Sequence, residues 1–249
     1  MFKRSSFSRH SLIYKCIGAA ALLFSGCDEG NIVDEIFVAD SESYVVKFTA
    51  DVSGIDRWAD GYDIALAAFD AESDYSIVQK QLRAGKDGRI TLVLSGIPTS
   101  ARTIELCATN KLRQRIITFE STPIAASEMS TSDTIVITLP RPVDVGMFAA
   151  IQHYIFDGTA YNCSLCHSAE NGRAGLDLSA GNSHSNLVGI ASTRVEGGTR
   201  VVAGDAASSV LHTALAPDNP AGLRYDHSGL LEGTLRRLID DWIDAGAKE

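Results

Sequence analysis

The sequence predicts a two-domain protein in which an all-β sandwich precedes a small all-α domain. Short segments of alternating apolar and polar residues recur between residues 42 and 140 and are separated by turn residues. After Pro140-Arg141-Pro142 the spacing of the apolar residues becomes helical. The chain beyond its first segment is also long enough for two domains of about 100 residues each.

Residues 1–26 have the parts of a secretory signal peptide, namely a basic start, an apolar run over residues 16–24 and the small pair Ser25-Gly26. The apolar run is too short to span a bilayer. The end, Leu23-Phe24-Ser25-Gly26-Cys27, resembles a bacterial lipobox, with Phe24 where Leu is usual. That resemblance implies that Cys27 carries a lipid. An ordinary signal peptide with a chance Cys is the alternative.

Residues 27–41 are acidic and lack a period, and we interpret them as a tether between the lipid and the first domain. A lipid on Cys27 predicts a location in the cell envelope, with the protein anchored to the outer membrane on its periplasmic side or at the cell surface. Asp28 and Glu29 resemble surface-export signals of some lipoproteins, whereas an Asp after the Cys resembles an inner-membrane retention signal in others. The sequence leaves both open.

The formal net charge of the chain is −9, and the signal peptide contributes only basic residues, so the remainder is more acidic still. An acidic surface excludes nucleic acid as a partner and suits a basic protein. Cysteine is sparse, and the chain has no disulfide framework. Cys107 lies in an apolar run and is expected to be a buried strand residue.

The region of residues 42–140 contains six or seven short strand patterns, which predict an immunoglobulin-like sandwich. The predicted strands cover residues 44–52, 62–69, 75–79, 89–94, 102–107, 115–119 and 134–139. This region has no His and no catalytic constellation, so we interpret it as a spacer. Trp58 and Tyr62 are the candidates for a loop-borne carbohydrate or peptide site, although Trp58 fits a core cap equally well.

From residue 143 onwards the pattern predicts short helices joined by Gly-, Ser-, Asn- and Asp-rich loops. The first helix has Val145, Phe148 and Ile155 on one face. The last has an apolar stripe at Leu235, Leu238, Ile239, Trp242 and Ile243, and Gly246 ends it. Such short helices leave a thin protein core, which a bound apolar group would complete.

The run Cys163-Ser164-Leu165-Cys166-His167 is the strongest motif in the chain. It matches C-x-x-C-H, the attachment signature of a c-type haem. The two thiols have the spacing to add across two vinyl groups of one haem, and the adjacent imidazole becomes the proximal iron ligand. A C-x-x-C pair also occurs in zinc sites and dithiol redox centres, so these alternatives remain open.

The segments around this motif resemble, in order, the cytochrome c-like domains at the ends of many exported bacterial proteins. The resemblance covers residues 145–247 and includes Ala174-Gly175-Leu176-Asp177-Leu178, residues 200–205 and the terminal helix. It implies a compact all-α haem domain at residues 143–249, with covalent haem c on Cys163 and Cys166 and His167 as the proximal iron ligand. It also implies one-electron transfer to a redox partner protein.

The resemblance also implies a distal Met, but no Met follows His167. His227 is the first candidate for the distal iron ligand. Tyr225, His212, His184 and Met147 are the other candidates, and an open sixth position is the remaining one. Arg200 and Arg224 are candidates for pairing with the haem propionates, because guanidinium pairs well with carboxylate.

These observations predict an electron carrier rather than an enzyme. A haem enzyme or gas sensor of the peroxidase type, with an open sixth position, is the alternative that the missing Met favours. The third hypothesis is a non-haem cell-surface binding lipoprotein in which Cys163 and Cys166 form a disulfide or bind zinc with His167 and a distant His.

Overall fold

The computed structural model describes residues 42–83, 87–124 and 133–249. The predicted signal peptide, the lipidation site Cys27 and the tether lie outside these residues. The described part contains eight β-strands and four α-helices. The strands are β1 (Ser43–Ser53), β2 (Tyr62–Phe69), β3 (Val78–Gln81), β4 (Gly88–Pro98), β5 (Thr103–Asn110), β6 (Arg115–Pro123), β7 (Thr134–Thr138) and β8 (Val143–Asp144).

The strands form two four-stranded sheets. In the first sheet β1 pairs antiparallel with β4 on one edge, and its other edge pairs in parallel with β7 and then with β8. In the second sheet the order is β3-β2-β5-β6, with all pairs antiparallel. Alternate residues of β1 point inwards, which explains the period-2 pattern there, whereas β2 and β5 are buried on both faces, and residues 64–69 of β2 read as a continuous apolar run.

The inner faces of the two sheets contribute to one hydrophobic core. Val46 and Phe48 of β1 and Ile64 and Leu66 of β2 are buried in the same cluster. Each fully buried side chain of this size contributes about 1.5–3 kcal/mol relative to exposure. Six of the seven predicted strand patterns coincide with strands of this framework, whereas the pattern at residues 75–79 shares only residues 78 and 79 with β3. β8 is the strand that the pattern missed because it is only two residues long.

The helices are short and interrupted. They are α1 (Met147–Ile151), α2 (Ser183–Leu187), α3 (Val210–Leu215) and α4 (Gly233–Asp244). A π-helical turn, Gln152–Phe156, continues α1, and single 3₁₀ turns occur at Cys163–Leu165 and Arg173–Gly175. Only α4 is longer than two turns.

The predicted fold class, a β-sandwich followed by a small all-α cytochrome c-like domain, is therefore wrong. The described structure is mostly β-sheet with four short helices, and the C-terminal part is not an all-α domain. The physical reason is that the first turn of a helix costs conformational entropy, which is offset only when several further turns of helix-favouring residues follow. Gly189, with φ of +72°, follows α2, and Pro217 follows α3, so neither helix can extend.

The C-terminal part also shares its core with the sheets. Trp58 donates its indole N–H to the carbonyl of Val145 at 2.5 Å, and the ring of Phe119 packs edge-on against Tyr154 at 6.4 Å. The buried residues of α1 and α4 belong to the same hydrophobic cluster as those of the strands. Val143, directly after the proline pair, pairs with Val52 of β1. The chain thus continues from sheet to helices without a break in packing.

Candidate functional site

The residues of the C-x-x-C-H motif form one tight turn. The amide N–H groups of Cys166 and His167 both donate to the carbonyl of Cys163, at 3.2 and 3.1 Å. Asn162 caps this turn because its side-chain oxygen accepts the N–H of Leu165 at 3.0 Å. The turn therefore holds both thiols and the imidazole on one short stretch of ordered backbone.

Both motif cysteines are free thiols and are partly buried. Burial, and then the negative charge of Asp157 and of Cys166, raise the pKa of Cys163 to about 11. Cys163 is therefore a neutral thiol at neutral pH. Dithiol exchange proceeds through the thiolate and is slowed by this environment, whereas a zinc ion would itself deprotonate the thiol.

The ring of His167 is oriented by the backbone. Its Nδ1 lies 3.0 Å from the carbonyl of Arg173, and since a carbonyl only accepts, Nδ1 carries the proton. Burial lowers the pKa of His167, against the opposing effect of that hydrogen bond. A neutral imidazole protonated on Nδ1 leaves Nε2 free, which is the state of a histidine that binds a metal.

His227 is the side chain that the fold brings opposite His167. The two ring centroids are 6.2 Å apart and the ring planes are inclined by 30°. The Nδ1 atom of His227 is buried and has no hydrogen-bond partner among the described residues. Tyr225 packs edge-on against the His227 ring at 4.9 Å. An orphaned ring nitrogen costs free energy unless another group partners it.

The dimensions of this pair fit a haem iron. Two imidazole nitrogens that bind one metal from opposite sides, each at about 2.0 Å, place their ring centroids roughly 6 Å apart. Large exposed apolar side chains lie in the same two segments, namely Leu165, Tyr225 and Leu230. A flat apolar group held between the histidines would cover surface of this kind. In the separation of the two imidazole rings and in the apolar surface beside them, the residues present therefore fit a haem.

In the three described stretches of the chain, no three His, Cys, Asp or Glu side chains converge as a chelating group. A structural zinc ion takes four such ligands. A haem iron takes at most two from the protein, because the porphyrin supplies the others. The pair formed by His167 and His227 supplies the two protein ligands that a haem iron can take.

Three of the four other candidate ligands are engaged elsewhere. His212 lies 2.8 Å from the Asp240 carboxylate, and His184 lies 2.7 Å from the carbonyl of Ala247. Met147 is buried in the core that α1 shares with the sheets. Tyr225 is 60 % exposed and contacts the His227 ring, so of the alternatives it alone lies at the site.

The two arginine candidates differ in their surroundings. Arg200 is buried, and its guanidinium donates to the carbonyls of Ala174, Gly175 and Asn186. It is therefore a structural donor here rather than a surface side chain. Arg224 is exposed. The sequence analysis missed Asn162, although an Asn directly before a helical turn is a recognised N-cap signal, and it missed the Arg173 carbonyl because a backbone acceptor has no signature in the sequence.

The β-region residues singled out in the sequence have structural contacts. Trp58 caps the core through its bond to Val145, and Tyr62 donates to Asp241 at 2.6 Å. Cys107 is fully buried, and burial raises its pKa to about 12. These contacts agree with a core role for all three.

No family model, no curated protein and no solved structure matches the chain. Within the described ranges, no helix is both long and apolar enough to cross a bilayer. Evidence about function therefore comes from the residues of the site.

Proposed function

We propose that the chain is an exported, lipid-anchored c-type cytochrome that carries one covalent haem and transfers single electrons. One observation carries the proposal. The C-x-x-C-H motif forms a single turn, and the ring of His227 faces that of His167 with centroids 6.2 Å apart. The proposal rests on these residues and does not depend on an all-α fold around them.

Each residue has a separate role. Cys163 and Cys166 would attach the haem through thioether bonds, and His167 and His227 would hold its iron. When bound, the haem supplies a one-electron couple between ferric and ferrous iron. The Arg173 carbonyl keeps the His167 ring oriented, and Asn162 keeps the motif turn closed. Little reorganisation of these groups is then needed on electron transfer.

The proposal includes a membrane anchor at Cys27 and a redox partner protein. The lipobox-like residues before Cys27 support the anchor, and the outer membrane is its proposed location. The net charge of −9 supports a basic partner, because complementary charge accelerates the encounter of two proteins. The same charge makes nucleic acid an unsuitable partner.

A haem enzyme or gas sensor is the second candidate. It is favoured by the position of His227, which lies in the helix-free stretch between α3 and α4. A ligand on such a loop is held less firmly than one on a long helix. If His227 left the iron, the sixth position would be open to carbon monoxide or peroxide.

A reduced pyridine haemochrome spectrum tests the proposal. The full chain is expressed with a haem c attachment system, denatured and extracted with acidified solvent before the spectrum is taken. A c-type spectrum that survives extraction and a reversible one-electron titration would support the electron carrier. Folded protein without covalent haem would contradict it. A native spectrum that shifts with carbon monoxide would favour the enzyme or sensor.

A further inference from the structure

Arg200 lies at a point where several loops of the C-terminal part meet. Its amide donates to the carbonyl of Ile190 at 2.7 Å, and its carbonyl accepts from the amide of Leu211 at 2.9 Å. The residue as a whole is only 8 % exposed. The backbone of Arg200 is therefore hydrogen-bonded to two separate segments, at Ile190 and at Leu211.

The guanidinium of Arg200 binds backbone carbonyls of two further segments. Its Nη2 donates to Gly175 at 2.7 Å and to Ala174 at 3.1 Å, and its Nη1 donates to Asn186 at 2.8 Å. Thr193 adds a hydroxyl bond to the same Ala174 carbonyl at 2.6 Å. None of the ion pairs within the described stretches includes Arg200. The side-chain hydrogen bonds of Arg200 there all go to backbone carbonyls.

The turn that receives these bonds has an unusual backbone. Ala174 has φ of +60° and Gly175 has φ of +58°, so two consecutive residues are left-handed. A left-handed non-glycine residue is strained and persists only where its surroundings hold it. The residue directly before this pair is Arg173, whose carbonyl accepts the Nδ1 hydrogen of His167 at 3.0 Å.

We propose that Arg200 is a positioning residue for His167. By fixing the carbonyls of Ala174 and Gly175, it fixes the turn that aims the Arg173 carbonyl at His167. The consequence in the haem-free chain is that His167 carries its proton on Nδ1. The consequence in the haem-loaded chain rests on the proposed function: a hydrogen-bonded imidazole is a stronger donor to iron, which favours the ferric state and lowers the reduction potential.

The variant Arg200→Lys tests the proposal, because an ammonium is a point charge that cannot span the three carbonyls as the planar fork does. Arg194→Lys is the matched control, since the Arg194 side chain is exposed. The first measurement is the tautomer of His167 by ¹⁵N NMR in the haem-free full chain. Loss of the hydrogen bond between His167 and the Arg173 carbonyl should change the ratio of the two His167 tautomers roughly fivefold, the value for one neutral hydrogen bond. The second is the reduction potential of the haem-loaded chain.

We expect Arg200→Lys to shift His167 towards protonation on Nε2 and to raise the reduction potential, while Arg194→Lys changes neither. A folded Arg200→Lys protein with the wild-type tautomer would overturn the proposal. If Arg200→Lys does not fold, the exposed Thr193 provides a milder variant, Thr193→Val, for which the same shift is expected and an unchanged tautomer is the contrary result. Absence of covalent haem in the wild type would refute the proposed function alone, since the tautomer is read without haem.

Discussion

The hydroxyl of Tyr62 donates a 2.6 Å hydrogen bond to the carboxylate of Asp241. Tyr62 begins β2 and Asp241 lies in α4, so this bond joins two parts of the chain that the sequence assigns to different domains. The Tyr62 ring also lies 5.4 Å from that of Trp58, which in turn binds the backbone of Val145. Burial, and then Asp241, raise the pKa of Tyr62 above its ordinary value.

The variant Tyr62→Phe is expected to lower the free energy of unfolding at neutral pH by about 1 kcal/mol, the net value of one hydrogen bond. Since the folded-state pKa of Tyr62 is raised, its stabilisation is complete below the unfolded pKa of about 10 and is lost as pH rises further. The difference between wild type and variant should therefore shrink above about pH 10. Urea unfolding curves of both proteins between neutral and alkaline pH measure this difference in the free energy of unfolding.

Tyr75→Phe is the matched control, because Tyr75 is 49 % exposed. It should leave the free energy of unfolding unchanged at every pH. Tyr154 and Cys107 also have raised pKa values and cause alkaline destabilisation in all three proteins, so only the difference from wild type is informative. An equal pH dependence in wild type and Tyr62→Phe would contradict the role assigned to this bond.

The motif cysteines are expected to hold the haem through separate thioether bonds. Cys163→Ser together with Cys166→Ser should abolish the haem mass that survives denaturation, whereas either single change should leave one bond. Intact-mass spectrometry after denaturation measures this. Cys107→Ala is the control, because Cys107 is buried in β5 among residues of the second sheet. It should retain the full haem mass.

His227→Ala is expected to leave covalent haem in place and to open the distal position of the iron. The native spectrum should lose its six-coordinate low-spin form, and carbon monoxide should then bind the reduced protein. His212→Ala is the control, because His212 pairs with Asp240 and does not contact His167. A spectrum that is identical in wild type and His227→Ala would show that another group, or none, binds the distal side.

Glu105 is a buried carboxylate in the second sheet that accepts bonds from Arg115, Thr103 and Thr118, each at 2.8 Å. Glu105→Gln removes one charge that Arg115 pairs with, while Arg115 keeps its second partner Asp74, so the expected cost is about 1.5 kcal/mol, the value of a hydrogen bond to a charged group. Chemical denaturation should show this loss. Glu120→Gln, an exposed change on β6, should show almost none. Similar losses in both variants would contradict the role of the buried network.

Cys27→Ser is expected to move the protein from the membrane fraction to the soluble fraction and to remove incorporated fatty acid. The reason is that serine lacks the sulfur atom through which the lipid is linked as a thioether. Metabolic labelling with a fatty acid and fractionation of cells measure the change. Cys16→Ser, within the apolar run, is the control and should leave labelling intact. Unchanged labelling of Cys27→Ser would exclude Cys27 as the anchor.

Strand positions were predictable from the sequence because burial on one face imposes a period of two. Residues 44–52 alternate in this way and lie within β1, whereas residues 64–69 form an unbroken apolar run because β2, which has the bounds that the sequence predicts, is buried on both faces. Pairing was not predictable, since β1 pairs in parallel with β7 across a long stretch of chain. The first helix was predicted over residues 145–155, but Val145 lies before α1, and a π-helical turn replaces its second half.

Two thiols and an adjacent imidazole at the spacing of the proposed haem attachment, Cys163, Cys166 and His167, can be recognised in the amino-acid sequence alone. Only the tertiary structure decided which distant groups meet them. In the folded chain the ring of His227 lies opposite that of His167. His212 is hydrogen-bonded to Asp240, and the Arg173 carbonyl accepts a hydrogen bond from the His167 imidazole. Spacing records local geometry, whereas contacts between distant loops depend on the packing of the whole chain.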